Sequence, residues 1–424
     1  MRHKRIRHFF IISLFPLFHY NANAQKLVSL PFVGHTDRDE INIWCMFKKA
    51  DAVFLRNSDG QQKIFVYDKK SCFRKYLPIS CQFGNLNANQ SYDIRYSFNN
   101  KDFFPLITAK TARDSLKDFS FLAGSCAFVP AGFNVAIKPF TSLRIFQHMQ
   151  HDTADFMVWL GDNLYYVLQR QQYKPQLKRN IKTRQKKKLS AFLHSKQQYA
   201  IWDDHDYGTN NSDGSFKYKS TSLNVFQQFW PNPKNDSFNY YSFQQEDAGF
   251  FMLDDRYYNQ KEKEVLGQTQ LNWLKKELLA STATFKFICI GMQALNPLST
   301  KECLYKTEKE YKELLAFIRE QHISGVLFLS GDRHHGELMR VQEEGLYPLY
   351  DFTTSPLTMY PVKINSKSRE ALNPDKIDGT YYPKYNYGKI TLSGEKENRK
   401  CRMELKNKSG KTVWIYEIEA EKLK

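Results

Sequence analysis

Six short apolar runs punctuate the chain between residues 120 and 330: 120–124, 155–160, 199–202, 249–253, 285–291 and 325–329. They are too short for buried helices and do not alternate with polar residues, which is how strands buried on both faces read. Helical stretches at 269–280 and 307–321 lie among them. Strand and helix in alternation argue for an α/β core. Five of these runs lead directly into polar clusters: Ser125-Cys126, Gly161-Asp162-Asn163, Asp203-Asp204-His205-Asp206, Asp254-Asp255-Arg256 and Gly331-Asp332-Arg333-His334-His335. In open α/β sheets ligands collect at the carboxyl ends of the strands, so these loops are expected to converge on one rim. One Asp after a strand is commonplace; five polar clusters at five strand ends are not.

The regions on either side have a different rhythm. Residues 26 to about 113 consist of short period-two runs separated by Asn, Asp and Gly turns, as in 41–47, 62–67 and 91–96. That pattern predicts a small all-β sandwich. Gly84, Leu86 and Tyr92 have the spacing of the tyrosine corner of fibronectin-like domains. The end of the chain, 346–424, alternates again, and is expected to supply strands completing the second sheet, with a turn at Ser409-Gly410. Residues 169–190 carry nine Lys/Arg, and no acid occurs between Asn163 and Trp202. Tyr173, Leu177 and Ile181 recur at helical spacing, so this run reads as an amphipathic helix with a basic outer face. Such a face is either a solvated surface or a field for anionic substrate or anionic envelope polymers.

The first 24 residues stand apart from the fold. Arg2, Lys4, Arg5 and Arg7 precede a short apolar segment, and Ala22-Asn23-Ala24 offers a signal-peptidase site. Cleavage near Ala24 and export, periplasmic or secreted, are the expectation. Loss of this segment lowers the formal net charge from +18 to +14, because it holds four basic residues and no acid. Beyond it no stretch approaches the ~20 apolar residues of a membrane helix. The resulting division is 1–24 signal peptide, 25–115 β-sandwich, and 116–424 α/β domain. At 42% hydrophobic residues the chain is neither disordered nor collagenous. Seven cysteines cannot all pair with one another, and Cys126, alone at a strand end, stands out.

Pooled, the strand ends offer a thiol, several carboxylates, the phenol of Tyr165, three histidines and Arg256. Carboxylates this crowded repel unless cations lie among them. Mixed sulfur, oxygen and nitrogen donors suit transition metals better than magnesium alone.

These blocks, in this order, resemble the PhoD-like alkaline phosphatase/phosphodiesterase family, a branch of the calcineurin-like metallophosphoesterases. The resemblance rests on Ala123-Gly124-Ser125-Cys126, Gly161-Asp162-Asn163-Leu164-Tyr165, 202–208, 253–258 and 330–335, with weaker echoes at 270–274, 293–297 and 354–358. It implies a four-layer αββα metallophosphoesterase sandwich behind a small fibronectin/Ig-like domain. It further implies ferric iron held by Cys126, Tyr165 and His334, with Asp162 bridging to calcium or another divalent cation held by Asp204 and Asp332. His205 would assist the leaving oxygen, and Arg256 would grip the phosphoryl group. Other positions stay open at this level. Asp203 either orients the ligands or caps its loop. Asn210 and Asn211 either reach phosphate or serve a turn. His335 either touches substrate or is exposed, and Asp254 reads as structural.

The implied activity is hydrolysis of phosphate mono- or diesters by a monomer, with no specific nucleic-acid partner. The alternative is a polyanion-binding exported protein on the same scaffold without turnover. A bare polyanion binder explains the positive charge but has no use for clustered carboxylates, and a glycosidase leaves Cys126 and Tyr165 without a role.

Overall fold

The computed structural model describes residues 25–112, 117–130, 142–166, 172–233, 237–261 and 263–424. The signal-peptide reading of 1–24, and the 115/116 division, fall outside those residues. Seven strands come first: β1 (Lys26–Thr36), β2 (Ile41–Lys48), β3 (Ala52–Arg56), β4 (Gln62–Val66), β5 (Tyr76–Phe83), β6 (Ser91–Ser97) and β7 (Phe104–Lys110). They form an antiparallel sheet in the order β1-β2-β5 and another in the order β4-β3-β6-β7. The period-two pattern has its expected cause, since Tyr92 and Ile94 point inward while Ser91, Asp93 and Arg95 are exposed. Ile41, Ile43, Val53, Leu55, Ile79, Phe83 and both inward residues of β6 share one core. The Tyr92 hydroxyl accepts from the Asn87 amide at 2.8 Å, tying the strand start to the preceding turn.

The rest of the chain contributes β8 (Phe119–Gly124), α1 (Arg144–His151), β9 (Phe156–Leu160), α2 (Tyr173–Arg184), α3 (Lys187–Ser195), β10 (Gln197–Ile201), α4 (Asp204–Tyr207) and α5 (Lys219–Phe229). Next come β11 (Tyr241–Gln245), β12 (Ala248–Met252), α6 (Gly267–Ala280), β13 (Phe285–Cys289), α7 (Glu308–Glu320), β14 (Val326–Ser330), β15 (Glu337–Val341) and β16 (Leu349–Thr353). Three further strands, β17 (Asn386–Ser393), β18 (Lys400–Asn407) and β19 (Thr412–Glu419), end the fold. Two six-stranded sheets result, β10-β9-β8-β17-β18-β19 and β11-β12-β13-β14-β16-β15. The apolar runs are the parallel strands of these sheets.

Facing side chains of both sheets make the central core. Phe121 of one sheet packs edge-on against Phe250 and Phe287 of the other, with ring centroids 5.0 and 5.2 Å apart. Helices α1, α2, α3 and α5 cover the outer face of the first sheet, and α6 and α7 that of the second. Burial of both faces is why the strands carry no alternation. Among the described residues no helix is long and apolar enough to cross a membrane.

Two expectations need correction. The closing strands β17–β19 extend the first sheet and not the second, because β17 pairs antiparallel with β8, opposite Phe119–Ala123. The basic run is two helices, α2 and α3, and its outer face is not uniformly basic. Leu177 and Ile181 are buried as the spacing implies, yet Arg179 and Arg184 are buried with them. Arg184 lies over Trp230 at 4.2 Å and near Phe32 and Trp44 of the front sheet, and donates to the Phe229 carbonyl at 3.1 Å. The front sheet is thereby held on the helical layer, helped by Ser29, whose hydroxyl donates to the Arg184 carbonyl at 2.9 Å. The seven cysteines form no disulfide, and all are buried.

Candidate metal centre

Strands β8, β9 and β14 hand the chain to the rim in tight turns. Cys126, Asp162, Asp332 and His334 all have left-handed backbone, with φ of 56°, 53°, 60° and 57°. Residues with a Cβ seldom adopt this region, and clusters of them mark functional sites. Backbone bonds hold the turns against one another: Ala127 N–H donates to the Asp162 carbonyl at 2.8 Å, and Met359 N–H to the Cys126 carbonyl at 2.9 Å. The approach is close enough to require glycine at 161, where a Cβ would lie 2.4 Å from that of Asp203.

The loops after β8, β9, β10 and β14 bring their side chains together as three overlapping sets of donors, each with its atoms within 4.8 Å of one another. Cys126, Asp162 and His334 make one set; Asp162, Asp204 and His205 the second; Asp162, Asp203 and Asp332 the third. Asp162 belongs to all three. Its Oδ2 accepts from the Tyr165 phenol at 2.7 Å and lies 3.5 Å from Cys126 Sγ, while its Oδ1 accepts from the His205 amide at 3.2 Å. The sulfur also accepts from Ser355 Oγ at 3.1 Å.

The electrostatics of this cluster favour cations. Burial, then Asp204, Asp206 and Asp332, push the Asp162 carboxyl well above its ordinary range. Burial and the neighbouring carboxylates Asp162 and Asp332 push the Cys126 thiol up, and burial with Asp162 does the same for the Tyr165 phenol. Asp204 goes the other way: burial raises it, but His205 and Arg256 outweigh that and hold it low. Groups pushed toward their protonated forms by one another's charge are the ones a cation returns to the anionic form. The fit also shows in the lone pairs, because Asp203 Oδ2, Asp204 Oδ1 and His334 Nδ1 are buried with no hydrogen-bond partner. Donor type is graded across the cluster, with sulfur, phenol and imidazole at one end and carboxylates at the other. That grading suits two different cations sharing Asp162.

Several expected residues stand elsewhere. Arg256 offers no face to a substrate: it is fully buried, with Nε and Nη2 at 2.6 and 2.5 Å from Asp203 Oδ1 and Nη1 at 3.0 Å from Glu302. A guanidinium whose nitrogens all face carboxylates in a buried pocket holds those carboxylates in place. Asp203 both caps α4, accepting from the Asp204 amide at 2.8 Å, and keeps its second oxygen among the donors. Asn211 meets Asp204 through its backbone amide, at 2.6 Å from Oδ2, and the exposed Asn210 donates to the Asn211 side chain. His335 is not exposed; it is buried, 3.2 Å from Glu337 Oε1, and belongs to none of the three donor sets among the described residues. Asp254 is structural as read, accepting from Trp202 Nε1 at 2.7 Å.

Sequence reasoning passes over Asp206, Glu302, Ser355 and Tyr360. Asp206 accepts from the amides of Asn163, Leu164 and Asp203, and so joins the loop after β9 to that after β10. Tyr360 sets its ring edge-on to His334, centroids 5.1 Å apart. The legible signals among these are the place of Asp206 in the cluster after β10 and Thr354-Ser355-Pro356, a sixth polar strand end just past β16.

A family model of PhoD-like phosphatases matches residues 121–403. Among solved structures, PhoD superposes with a TM-score of 0.73 at 15% identity, over 93% of this chain and 91% of that one. A purple acid phosphatase, PPD1 from yellow lupin (Lupinus luteus) seeds, superposes with a TM-score of 0.67 at 11% identity, over 94% of this chain and 75% of that one. No curated protein sequence matches the chain. The two structures share the fold, and the family match spans every strand-end loop that carries a donor. The chain therefore belongs to the PhoD-like phosphatase family and is a phosphoric ester hydrolase.

Proposed function

We propose that the protein is an exported phosphoesterase that acts on phosphate mono- or diesters or both, with ferric iron held by Cys126, Tyr165, His334 and Asp162. Asp162 is shared with calcium, or another divalent cation, held by Asp204 and Asp332. The observation that carries this reading is the place of Asp162 in all three donor sets. Bound there, such cations supply a strongly polarised water and neutralise charge on the phosphoryl group.

The chain's own residues do the rest. His205 keeps its side chain 23% exposed while its backbone amide is fixed on Asp162, so its imidazole reaches solvent from a set position. Its role is to give a proton to the departing alkoxide oxygen. Asp204 Oδ1 lies 3.9 Å from His205 Nε2. Asp203, fixed by Arg256, offers a carboxylate oxygen to the set it shares with Asp162 and Asp332. The 25–115 segment is read as a fibronectin/Ig-like sandwich that braces the helical layer, and 1–24 as its export signal. The sandwich reading is supported by the three-plus-four strand count and the Tyr92–Asn87 bond.

The test is elemental analysis of purified protein, together with hydrolysis of a chromogenic phosphomonoester and phosphodiester. Iron with a second divalent cation, lost together with turnover on chelation, is the expected result. Full turnover in metal-free protein would sink it.

A further inference from the structure

Five arginines are buried in the described residues: Arg179, Arg184, Arg256, Arg333 and Arg399. Four of them have partners: Arg184 the Phe229 carbonyl, Arg256 Asp203 and Glu302, Arg333 Glu370, and Arg399 Asp247 and Asp118. Arg179 is the exception. It is 2% exposed, and its Nε, Nη1 and Nη2 all lack a hydrogen-bond partner among the described residues. A buried charge of this kind is costly unless something anionic meets it. The sequence on either side of it holds no candidate, since 163–202 contains no Asp or Glu.

Its position gives the missing partner a meaning. The guanidinium carbon lies 5.8 Å from the Phe128 ring, and that ring lies 5.8 Å from the ring of Tyr165, whose phenol bonds Asp162. One aromatic ring therefore separates Arg179 from the metal centre. Beside it, Asn180 Nδ2 donates to the Tyr166 hydroxyl at 3.0 Å, which leaves that hydroxyl its own proton to donate. A guanidinium fork with a phenol alongside is a recognition pattern for a phosphate or carboxylate.

We infer that Arg179 binds a second anionic group carried by the substrate, so that the preferred substrates are phosphate esters bearing another phosphate or carboxylate a few bonds from the scissile one. The inference rests on the phosphoesterase reading and names the substrate class of that same site. Cation–π contact with Phe128 alone leaves all of the guanidinium donors unused, whereas an oxyanion takes two or three of them.

The experiment compares butyl phosphate with 1,4-butanediol bisphosphate on the metal-loaded enzyme, measuring phosphate release by the wild type, Arg179→Met and Arg179→Lys. The wild type should prefer the bisphosphate well beyond the twofold statistical advantage of two equivalent ends. That preference should fall about 10- to 100-fold in Arg179→Met, through KM, and partly survive in Arg179→Lys, which keeps charge without the fork. An unchanged preference in Arg179→Met, or a loss shared equally by both esters, overturns the inference. If Arg179→Met does not fold, the wild type decides alone. 1,4-Butanediol bisphosphonate should inhibit at least about tenfold more tightly than butylphosphonate, and equal inhibition overturns the inference. Hydrolysis of neither ester would speak against the proposed activity and not against this site.

Discussion

Tyr165 and Asp162, three residues apart on one loop, are joined by a 2.7 Å bond from the phenol to a carboxylate oxygen that faces the thiol of Cys126. The phenol and the thiol thus share one oxygen of Asp162, and the other oxygen accepts from the His205 amide. Removal of that carboxylate dismantles both at once. Asp162→Asn is expected to lose both metals by elemental analysis and at least about a hundredfold in turnover. Tyr165→Phe should retain metal and shift the visible absorption of the iron-loaded protein.

His205 keeps 23% of its side chain exposed, and its backbone, not its ring, is what bonds Asp162. His205→Ala should therefore keep its metal content while kcat falls about 10²–10⁴-fold with little change in KM. Metal-free His205→Ala protein would instead make the ring a ligand.

Arg256 is the charge that lets Asp203, Asp255 and Glu302 share a buried pocket. Arg256→Met leaves those acids unbalanced, and urea denaturation should show a loss of about 3–5 kcal/mol. A residue that only gripped substrate would raise KM and leave stability untouched.

Glu337 supplies a pH signature away from the donors. Burial pushes its carboxyl up, but His335, Lys376 and Arg333 outweigh that and hold it at about 2, against an ordinary 4.5. A depressed carboxyl contributes stability that is complete above its unfolded value and is lost as pH falls toward the folded one. Between pH 5 and pH 2 the protein should lose on the order of 3 kcal/mol from this group. Glu337→Gln should flatten that part of the denaturation profile.

A feature is legible in the sequence to the extent that its cause is local. Strands buried on both faces announce themselves as apolar runs, and the donors at their ends stand next to them in the chain. Cys126, Asp162, Asp204 and His334 are legible for that reason. Arg256 is not, because its role depends on Asp203 and Glu302, each about fifty residues away on another loop. Asp206 looks like one more acid in a run, and only the packing of two loops makes it their joint. The alternation in β17–β19 identifies strands but carries no information about which edge accepts them, and β8 proves to be that edge. Arg179 and Arg184 pass for part of a basic surface because charge alone does not tell a helix which arginine will face inward.

The left-handed backbone at Cys126, Asp162, Asp332 and His334 sets folding and chemistry in opposition. Glycine would relax each of these turns, by the order of 1 kcal/mol apiece, and would erase a donor each time. A library of variants sorted for thermal endurance alone should drift toward glycine at these four sites and come out sturdier but inert. The one pressure that keeps a side chain on each of those turns is the ester the protein cleaves.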